Sequence, residues 1–541
     1  MSSAHEQSTI GTGPRGTEGA ANPWIIAIAV TIATFMEVLD TSIANVALRY
    51  IAGGLSAAAS DSEWIITSYL AANASVLLLS GWLSSYFGRR NYYLASLLIF
   101  TVSSVACGFA RSLAELILFR ILQGLGGGGL QPVTQAVLVD TFPPEKQGTA
   151  QALFGVSAMI APVLGPTLGG YIADNYGWEW IFFINIPPGL LALAINYMVL
   201  KDPEYLQAER AELRSRPLRF DYVGLGLIVI AMVCMETLLS KGQEWDWFRD
   251  PFGRVQALAM GFGLGLVGLI AWELRHPAPV LDLRPFRDRN FAMSGLIAYT
   301  AFAITFASLV LLPSMLQTLF GYNAVWSGLV MSPAGLFSIP TIIVSGYLIG
   351  KKVDVRRLIV LGACLMAVGA YWYSLMNLQV GPGHLIWPRV VQQIGTSGLF
   401  TPLSVAAFRY LPKELRGPAA GIYAALRNEG GSLGTSLGKT MVARRLPVHT
   451  DRLVEHFNPY NPAFNETSRM LQSFFYERTG DSRTSQVMAL QMIDAMRQQQ
   501  SAAMAYLDSF WLFAVMALGL IPLALLLKRS EVEEGRHLGV E

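Results

Sequence analysis

The chain has 541 residues, of which 53% are hydrophobic and 14% charged, with a formal net charge of +2. Soluble domains usually hold about 25% charged residues, so the composition excludes an ordinary soluble protein and favours a membrane protein. The near balance of charge predicts no nucleic-acid partner. Cys107, Cys234 and Cys364 lie in apolar runs without redox or metal-ligand spacing, and the six histidines form no zinc pattern. We therefore expect no metal and no cofactor.

The chain begins with a polar segment and continues as a series of apolar runs. Residues 1–23 lack an apolar core, which predicts a disordered cytosolic tail and not a signal peptide. Hydropathy over windows of about 19 residues then predicts fourteen membrane-spanning helices, followed by a cytosolic tail at 529–541. The expected spans, in order, are 24–47, 63–84, 91–110, 114–138, 149–172, 178–200, 222–240, 255–274, 291–316, 325–349, 356–376, 384–408, 417–442 and 506–528.

Basic residues alternate between the loops and predict the orientation. Arg89, Arg90 and the clusters at 351–357 and 409–416 fall on the side from which the first span starts, whereas the opposite loops hold few Lys or Arg. Basic residues favour the cytosolic side of a bacterial membrane. We therefore expect a multi-pass protein of the bacterial inner membrane with both termini in the cytosol.

The chain repeats itself at a constant offset. The fourth span reads RILQGLGGGGLQP from Arg120 and the twelfth reads RVVQQIGTSGLFTP from Arg389, while Gly165 in the fifth span matches Gly434 in the thirteenth. Parallel repeats related about the membrane normal are a plan of transporters that bind substrate near the midplane. This predicts an N-terminal six-helix half, an inserted pair of helices with flanking loops, and a C-terminal six-helix half. The expected units are 24–200, 201–290 and 291–528.

The fifth span carries glycines and prolines on one face, which predicts close packing of two helices. Small residues recur there every three or four positions, and two kinks of the Gly-Pro type favour a helix that slides against a partner. We expect this face to pack against the opposite half. The residues of this motif are Gly155, Ala161, Pro162, Gly165, Pro166, Gly169 and Gly170.

Residues 443–505 interrupt the regular alternation of apolar spans and short loops. They are polar and lie on the outer side between helices 13 and 14, and no Gly or Pro occurs from Ser485 to Leu518. The last helix is therefore expected to begin well before the membrane and to project outward by about 30 Å at about 1.5 Å per residue. A passive, partly disordered loop is the alternative.

Six stretches together resemble one family, the major facilitator superfamily, over essentially the whole chain. The resemblance is nearest to the fourteen-helix drug:proton antiporters of the EmrB/QacA type, and the outer loop with YNPAF from Tyr460 is similar to the Gram-negative EmrB branch. The stretches are MEVLDTSIANVAL from Met36, GWLSSYFGRR from Gly81, RILQGLGGG from Arg120, APVLGPTLGG from Ala161, WEWIFFINIPPG from Trp178 and LRNEGGSLGTSLG from Leu426.

The resemblance implies an all-α polytopic fold and an exporter driven by the proton motive force. It also implies a periplasmic membrane-fusion adaptor and an outer-membrane channel as partners, with residues 443–505 as the docking element. The loop between helices 2 and 3 is implied to control the conformation through Gly81, Gly88, Arg89 and Arg90. One departure is Ser85, because the family usually has Asp there, as part of a cytosolic latch.

Ionisable residues inside apolar spans are costly and are functional candidates. Glu37 and Asp40 lie one helical turn apart on one face, and two close carboxylates disfavour double ionisation. Asp40, and Glu37 with it, either bind and release protons or hydrogen-bond a neighbouring helix and order the fold. The resemblance makes Arg120 the residue that tunes proton coupling, although a structural tie is also consistent; Arg389 is expected to be structural.

Four further polar residues are candidates for a gate or a substrate site, namely Gln123, Glu236, Arg427 and Glu429. Arg427 and Glu429 form either a gate pair or a solvated helix end. Glu236 either attracts cationic drugs or reaches the membrane interface. Lys439 is expected to extend to the interface.

The combined prediction is a proton-coupled exporter of amphipathic small molecules. Two rivals stand beside it: an exporter of a dedicated metabolite such as a siderophore or peptide, and a non-transporting membrane receptor or scaffold. The chain has no GxxxxGK[ST] phosphate-binding motif and no nucleophile–base constellation, so neither direct ATP hydrolysis nor an enzyme is expected.

Overall fold

A computed structural model describes residues 22–202, 206–207, 210, 221–276, 279–455, 457–458 and 460–528, without the side chains of a few helical residues, Pro166 among them. Most of both expected tails and most of the 203–220 loop lie outside the described residues. Within the described part there are helices and no strand. The fourteen long helices are α1 (Pro23–Gly54), α2 (Trp64–Phe87), α3 (Arg89–Gly108), α4 (Leu113–Thr141), α5 (Pro144–Tyr176), α6 (Trp180–Val199), α7 (Tyr222–Lys241), α8 (Arg254–Glu273), α9 (Arg289–Leu319), α10 (Ala324–Gly350), α11 (Val355–Ser374), α12 (Pro382–Phe408), α13 (Arg416–Val454) and α14 (Ser482–Leu525).

Hydropathy identifies most of these helices as membrane spans. Eleven helices of the described chain are long and apolar enough to cross a membrane, and α5, bent by 47° between Thr149–Pro162 and Thr167–Tyr176, makes a twelfth. The remaining two, α12 and α13, have 27 and 39 residues, enough to cross a hydrocarbon core of about 30 Å. They are less apolar because they place polar side chains in the protein interior. The predicted all-α polytopic fold is confirmed.

The helices pack as an N-terminal group, α1–α6, and a C-terminal group, α9–α14. The two groups contact each other where α2 lies against α13 and where α5 lies against α10. At the membrane face from which α1 starts, the first contact is tight. A Cβ atom added to Gly81 would lie 2.7 Å from the Cα of Pro418, and one added to Gly421 would lie 2.7 Å from the carbonyl oxygen of Leu77. The two groups are therefore closed against each other at this face.

The helices α7 and α8 pack on each other, and α7 contacts α2 on one side and α13 on the other. The loop that joins them touches both groups at the opposite membrane face. Lys241 pairs with Glu63 of the N-terminal group at 3.3 Å, and Trp247 donates a hydrogen bond from Nε1 to Oγ1 of Thr440 at 3.1 Å. Asp246 forms an ion pair with Arg444 at 2.9 Å.

The segment between α13 and α14 contains an additional helix, Pro462–Thr479, that packs against α14. The last helix begins at Ser482 and has 44 residues, which at 1.5 Å per residue is about 66 Å. Such a helix is about twice as long as the hydrocarbon core is thick. Its first half extends beyond the membrane together with the end of α13.

Candidate functional site

The candidate site lies inside the N-terminal group, on α1. Glu37 and Asp40 are three residues apart, so both side chains point from the same side of the helix. Only 3% of Glu37 and 2% of Asp40 is exposed. A carboxylate in a membrane interior needs hydrogen-bond donors or an opposite charge. The structure supplies a different set of donors to each carboxylate.

Asp40 forms a buried ion pair with Arg120 of α4. The Nη1 atom of Arg120 lies 2.7 Å from Oδ2 of Asp40, while Gln123 and Asn185 donate to Oδ1 at 2.9 and 2.6 Å. Arg120 also donates to the carbonyl oxygen of Ile65 at 3.3 Å and to Gln123 at 2.8 Å. Both oxygens of Asp40 therefore accept hydrogen bonds, and its carboxylate balances the charge of Arg120.

Glu37 accepts three hydrogen bonds and has no ion pair within the described residues. Tyr69 and Asn73 donate to Oε1 at 3.3 and 3.2 Å, and Gln131 donates to Oε2 at 2.8 Å. The two carboxylates of α1 therefore share a helix face, as predicted, but each is held by its own donors. Glu37 is held by neutral donors, whereas Asp40 is held by a cation.

Arg427 of α13 connects this site to the C-terminal group. Its Nη2 atom donates to Oε1 of Gln131 at 3.3 Å, and Gln131 is the residue that donates to Glu37. The rest of the guanidinium is surrounded by four aromatic rings, with centroids 5.3–5.6 Å away. These rings belong to Phe154, Phe302, Phe400 and Tyr423.

Of the two alternatives for Arg427 and Glu429, the solvated helix end is wrong because both residues are buried, and the described residues contain no ion pair between them. Only 2% of Arg427 and 6% of Glu429 is exposed. Residues two positions apart on a helix are separated by about 200° around its axis, so these two side chains leave α13 in different directions. Arg427 reaches Gln131, whereas Glu429 contacts Glu236 of α7. Glu236 is also buried, so the expectation that it reaches the membrane interface is wrong.

The loop between α2 and α3 turns at Gly88, whose φ of +88° suits glycine. Arg89 pairs with Asp140 at the end of α4 at 2.5 Å. The backbone N–H of Arg90 donates to Asp202 at 2.7 Å. Arg89 thus has a carboxylate partner within its own group, although the chain has Ser85 where the family usually has Asp.

The small-residue face of α5 contacts α1 of the same group, which corrects the expectation that it packs against the opposite half. A Cβ atom at Gly165 would overlap Ser42, and one at Gly169 would lie 3.2 Å from the Cα of Ile43. Ser42 donates its hydroxyl to the carbonyl oxygen of Pro162 at 3.1 Å. The reason is geometric: α5 lies between α1 and α10, and the glycines at 165 and 169 point towards α1.

A different side of α5 does meet the C-terminal group. A Cβ atom at Gly155 would lie 2.7 Å from the ring of Phe400, and one at Gly328 of α10 would lie 2.5 Å from Thr167. Ala161 is fully buried. Of the predicted motif, only the side chain of Pro166 lies outside what the structure describes.

Three amide residues of the site were missed by the sequence analysis, namely Asn73, Gln131 and Asn185. Each is buried and donates to one of the two carboxylates. A signal was present, because an amide inside an apolar span must find a partner. Their partners could not be named from the sequence, since they lie 36, 94 and 145 positions away.

The arrangement can hold charge and protons but offers no centre for covalent chemistry. Within the described residues, no group of three or more His, Cys, Asp or Glu could hold a metal ion. Cys107, Cys234 and Cys364 are not in disulfides. The buried groups are two carboxylates, a guanidinium and amides, which can exchange protons and hydrogen bonds when the helices move.

Comparisons with known proteins agree with this architecture. Residues 30–435 match the Major Facilitator Superfamily. The chain is 38% identical over 502 residues to the multidrug export protein EmrB of Haemophilus influenzae, covering 92% of this chain and 94% of that one. It is 38% identical over 443 residues to EmrB of Escherichia coli K12, covering 81% and 84%.

A solved structure has the same fold at low sequence identity. The proton:xylose symporter XylE, bound to 6-bromo-6-deoxy-D-glucose, aligns with a TM-score of 0.57 and 15% identity, over 92% of this chain and 94% of that one. The family match, the EmrB relatives and this fold lead to one conclusion. The chain is a multi-pass membrane transporter and belongs to the Major Facilitator Superfamily.

Proposed function

We propose that this protein is a proton-coupled exporter of amphipathic drugs in the bacterial inner membrane. The observation that carries the proposal is the fully buried ion pair between Asp40 and Arg120, 2.7 Å apart. The export of drugs is supported by the two relatives that are named multidrug export proteins. The orientation, with both termini in the cytosol, is supported by the distribution of basic residues between the loops.

Asp40 is the proposed coupling site because its protonation changes the charge balance of the interior. A proton on Asp40 neutralises the carboxylate and leaves Arg120 with an unpaired charge in a dry environment. Breaking a buried pair in this way costs several kcal/mol, about 3–5. The protonated state therefore favours a rearrangement of α1, α4 and α6 in which Arg120 finds water or another acceptor.

The hydrogen-bonded series from Glu37 through Gln131 to Arg427 links the proposed coupling site to the other half. Gln131 uses its amide nitrogen for Glu37 and its oxygen for Arg427. Movement of α13 away from α4 breaks the hydrogen bond from Arg427 to Gln131. The amide of Gln131 is then no longer held in its orientation towards Glu37. Proton binding and the separation of the halves thus act on the same side chains.

The helix α5 supplies the mechanical connection. Its glycine face lies against Ser42 and Ile43, which follow Asp40 on α1. The other side of α5 contacts α10 and α12. A shift of α1 on protonation is therefore transmitted by α5 to the C-terminal half, and the two halves rock around the central substrate path.

The test uses purified protein in vesicles. A pH gradient, acidic inside, should drive the accumulation of a fluorescent lipophilic cation such as ethidium in vesicles that contain inside-out protein. The matched control is the Asp40→Asn protein at equal density. Accumulation that persists after a proton uncoupler is added would contradict proton coupling. A panel of drugs, siderophores and peptides in an efflux-deficient host then separates a drug exporter from an exporter of one metabolite.

We also propose that residues 443–505, the segment outside the membrane between the spans of α13 and α14, dock a periplasmic adaptor. This adaptor in turn binds an outer-membrane channel. The support is the exposed apolar surface of this segment. Tyr460 is 94% exposed, and Met470, Phe474 and Tyr476 are between 44% and 62% exposed. Exposed aromatic and methionine side chains outside a bilayer are typical of interaction sites.

Replacing residues 456–481 with a short Gly/Ser linker tests this part of the proposal. Export in vesicles should remain, since α13 and α14 are intact. Drug resistance of whole Gram-negative cells should fall. The matched control restores the segment with Tyr460 and Met470 changed to Ser, which leaves its helix in place. Full resistance of cells with the linker variant would show that the pump needs no partner at this segment.

A further inference from the structure

Two glutamates outside the proposed coupling site lie in contact inside the protein. Glu236 belongs to α7, the first inserted helix, and Glu429 belongs to α13. Ser432, one helical turn from Glu429 on the same side of α13, donates its hydroxyl to Oε1 of Glu236 at 2.9 Å. The carboxyl group of Glu236 therefore lies beside that of Glu429, and the two groups are close enough to interact. Glu236 is 2% exposed and Glu429 is 6% exposed.

Among the described residues, no cation is paired with either glutamate. Neither glutamate has an ion pair within the part of the chain that is described, and both oxygens of Glu429 and Oε2 of Glu236 receive no hydrogen from a donor there. The titratable group that faces the pair from α9 is Tyr299, whose side chain is a phenol and not a cation. Arg427 points instead towards Gln131.

Two adjacent buried carboxyl groups that share one hydroxyl donor favour a bound cation between them. Two ionised carboxylates repel each other, and a hydrogen bond between two carboxyl groups requires one of them to carry a proton. A divalent metal ion would need six or more oxygen ligands, or several waters. The contacts here are two carboxyl groups and one hydroxyl, so a proton satisfies the site and a metal does not.

We propose that Glu236 and Glu429 form a second proton-binding site, which holds one shared proton and joins the inserted helices to the C-terminal half. The site shares no residue with the Asp40–Arg120 pair, whose donors come from α4 and α6. It therefore goes beyond the proposed coupling mechanism and does not depend on it.

The position of the pair determines its effect on conformation. The protonated pair holds α7 against α13, and α13 is the helix that closes on α2 at Gly421. Loss of the proton places two negative charges in contact and pushes the two helices apart. The inserted helices thus hold α13 in the closed arrangement only while this proton is bound.

The test measures protonation directly, by infrared spectroscopy of the purified full-length protein. The C=O stretch of protonated carboxyl groups is recorded across a pH titration. The wild type should show a protonated carboxyl near neutral pH that the double variant Glu236→Gln/Glu429→Gln lacks. The matched control, Glu63→Gln/Glu244→Gln, removes two carboxylates that pair with Lys241 and should leave this signal unchanged.

Two further variants distinguish this site from the coupling site. The Asp40→Asn protein should retain the signal; if that variant loses it, the signal belongs to the coupling site and the proposal fails. If the double variant does not fold, Glu429→Gln alone supplies an amide donor to Glu236 and should remove or shift the band. An unchanged band in every Glu236 and Glu429 variant would overturn the proposal.

Thermal unfolding adds a readout that does not depend on spectroscopic assignment. The folded wild type holds a proton that it releases as the pH rises, so its unfolding midpoint should fall with pH relative to that of the double variant. Parallel pH profiles for the two proteins would contradict a shared proton.

Discussion

The two copies of the Arg-x-x-Gln motif have the same internal hydrogen bond but bind partners of different charge. In α4, Arg120 donates to Gln123 at 2.8 Å and forms an ion pair with Asp40. In α12, Arg389 donates to Gln392 at 3.0 Å. Gln392 then donates to the hydroxyl of Ser308 at 2.8 Å, whereas Gln123 donates to the carboxylate of Asp40. A serine hydroxyl of α9 accepts the hydrogen bond from Gln392, whereas an aspartate of α1 accepts the one from Gln123.

The two buried arginines differ in whether a carboxylate lies beside them. Arg120 and Arg389 are both buried, at 0% and 1% exposed. Within the described residues Arg120 has an acidic partner and Arg389 has none. The C-terminal copy is therefore bonded only to neutral groups among these residues, whereas the N-terminal copy has a carboxylate, which is the group we propose to bind the proton. The proposed coupling site is asymmetric although the fold is repeated.

The largest effect is expected from Asp40→Asn. This change leaves Arg120 buried and unpaired, so we expect a loss of about 3–5 kcal/mol of stability and no proton-driven export. The measurements are thermal unfolding in detergent and dye transport in vesicles.

The double variant Asp40→Asn/Arg120→Gln separates the two roles of the pair. It removes both charges, so most of the stability should return while transport stays absent. If the double variant transports at the wild-type rate, the pair is a structural tie and not a coupling site.

The next effect distinguishes the two arginines directly. Arg120→Lys keeps the charge but cannot reproduce the hydrogen bonds to Asp40, Gln123 and Ile65 together. Hydrogen bonds to charged groups contribute about 1.5–3 kcal/mol, so transport should slow by roughly tenfold or more with an altered pH profile. Arg389→Lys removes a bond to a neutral amide, worth about 1 kcal/mol, and should leave the pH profile unchanged. Equal pH profiles for the two variants would contradict the proposal that only Arg120 takes part in proton coupling.

The glycine contacts should behave alike in the two halves. A side chain at Gly165 would overlap Ser42 of α1, and one at Gly434 would overlap the carbonyl oxygen of Ala303 of α9. Leu at either position should cost about 1–3 kcal/mol or more by overpacking, measured as a lower unfolding midpoint and reduced transport. Gly226→Leu is the control, because its Cβ would meet nothing within 4 Å. A tolerated Gly165→Leu beside a damaging Gly434→Leu would show that the repeat does not extend to this packing.

The smallest effect concerns an ion pair outside the membrane, Asp250 with Arg254 at 3.0 Å. Hydrogen bonds from Arg254 lower the pKa of Asp250 to about 2. A lowered pKa means that the pair stabilises the fold above the usual Asp pKa and that this contribution is lost as the pH falls towards about 2. Asp250→Asn should lower the unfolding midpoint slightly at neutral pH and flatten its decline in acid. Transport should not change; a transport defect would show that charge pairs outside the core also contribute.

The sequence by itself determined the helices, the repeat and the identity of the buried charges. Hydropathy is local, so it predicted spans such as α7 to within a residue of their observed start and end. The low tolerance of a membrane interior for charge singled out Asp40, Arg120, Glu236 and Glu429 before any partner was known. Several boundaries were less accurate, because helices such as α1 and α13 continue beyond their apolar runs, to Gly54 and Val454. The helix α4 is also interrupted at Gly128 and Gly129, where a continuous helix was expected.

Only the tertiary structure decided which groups meet. Arg120 pairs with Asp40, 80 positions away. Glu429 meets Glu236, although Arg427 is its neighbour in sequence, and Gly165 faces α1, although the motif suggested the opposite half. The physical reason is that a helix pattern specifies a face but not its neighbour. The neighbour depends on how α1, α5, α7 and α13 are arranged around one another, which is set by packing across the whole bundle.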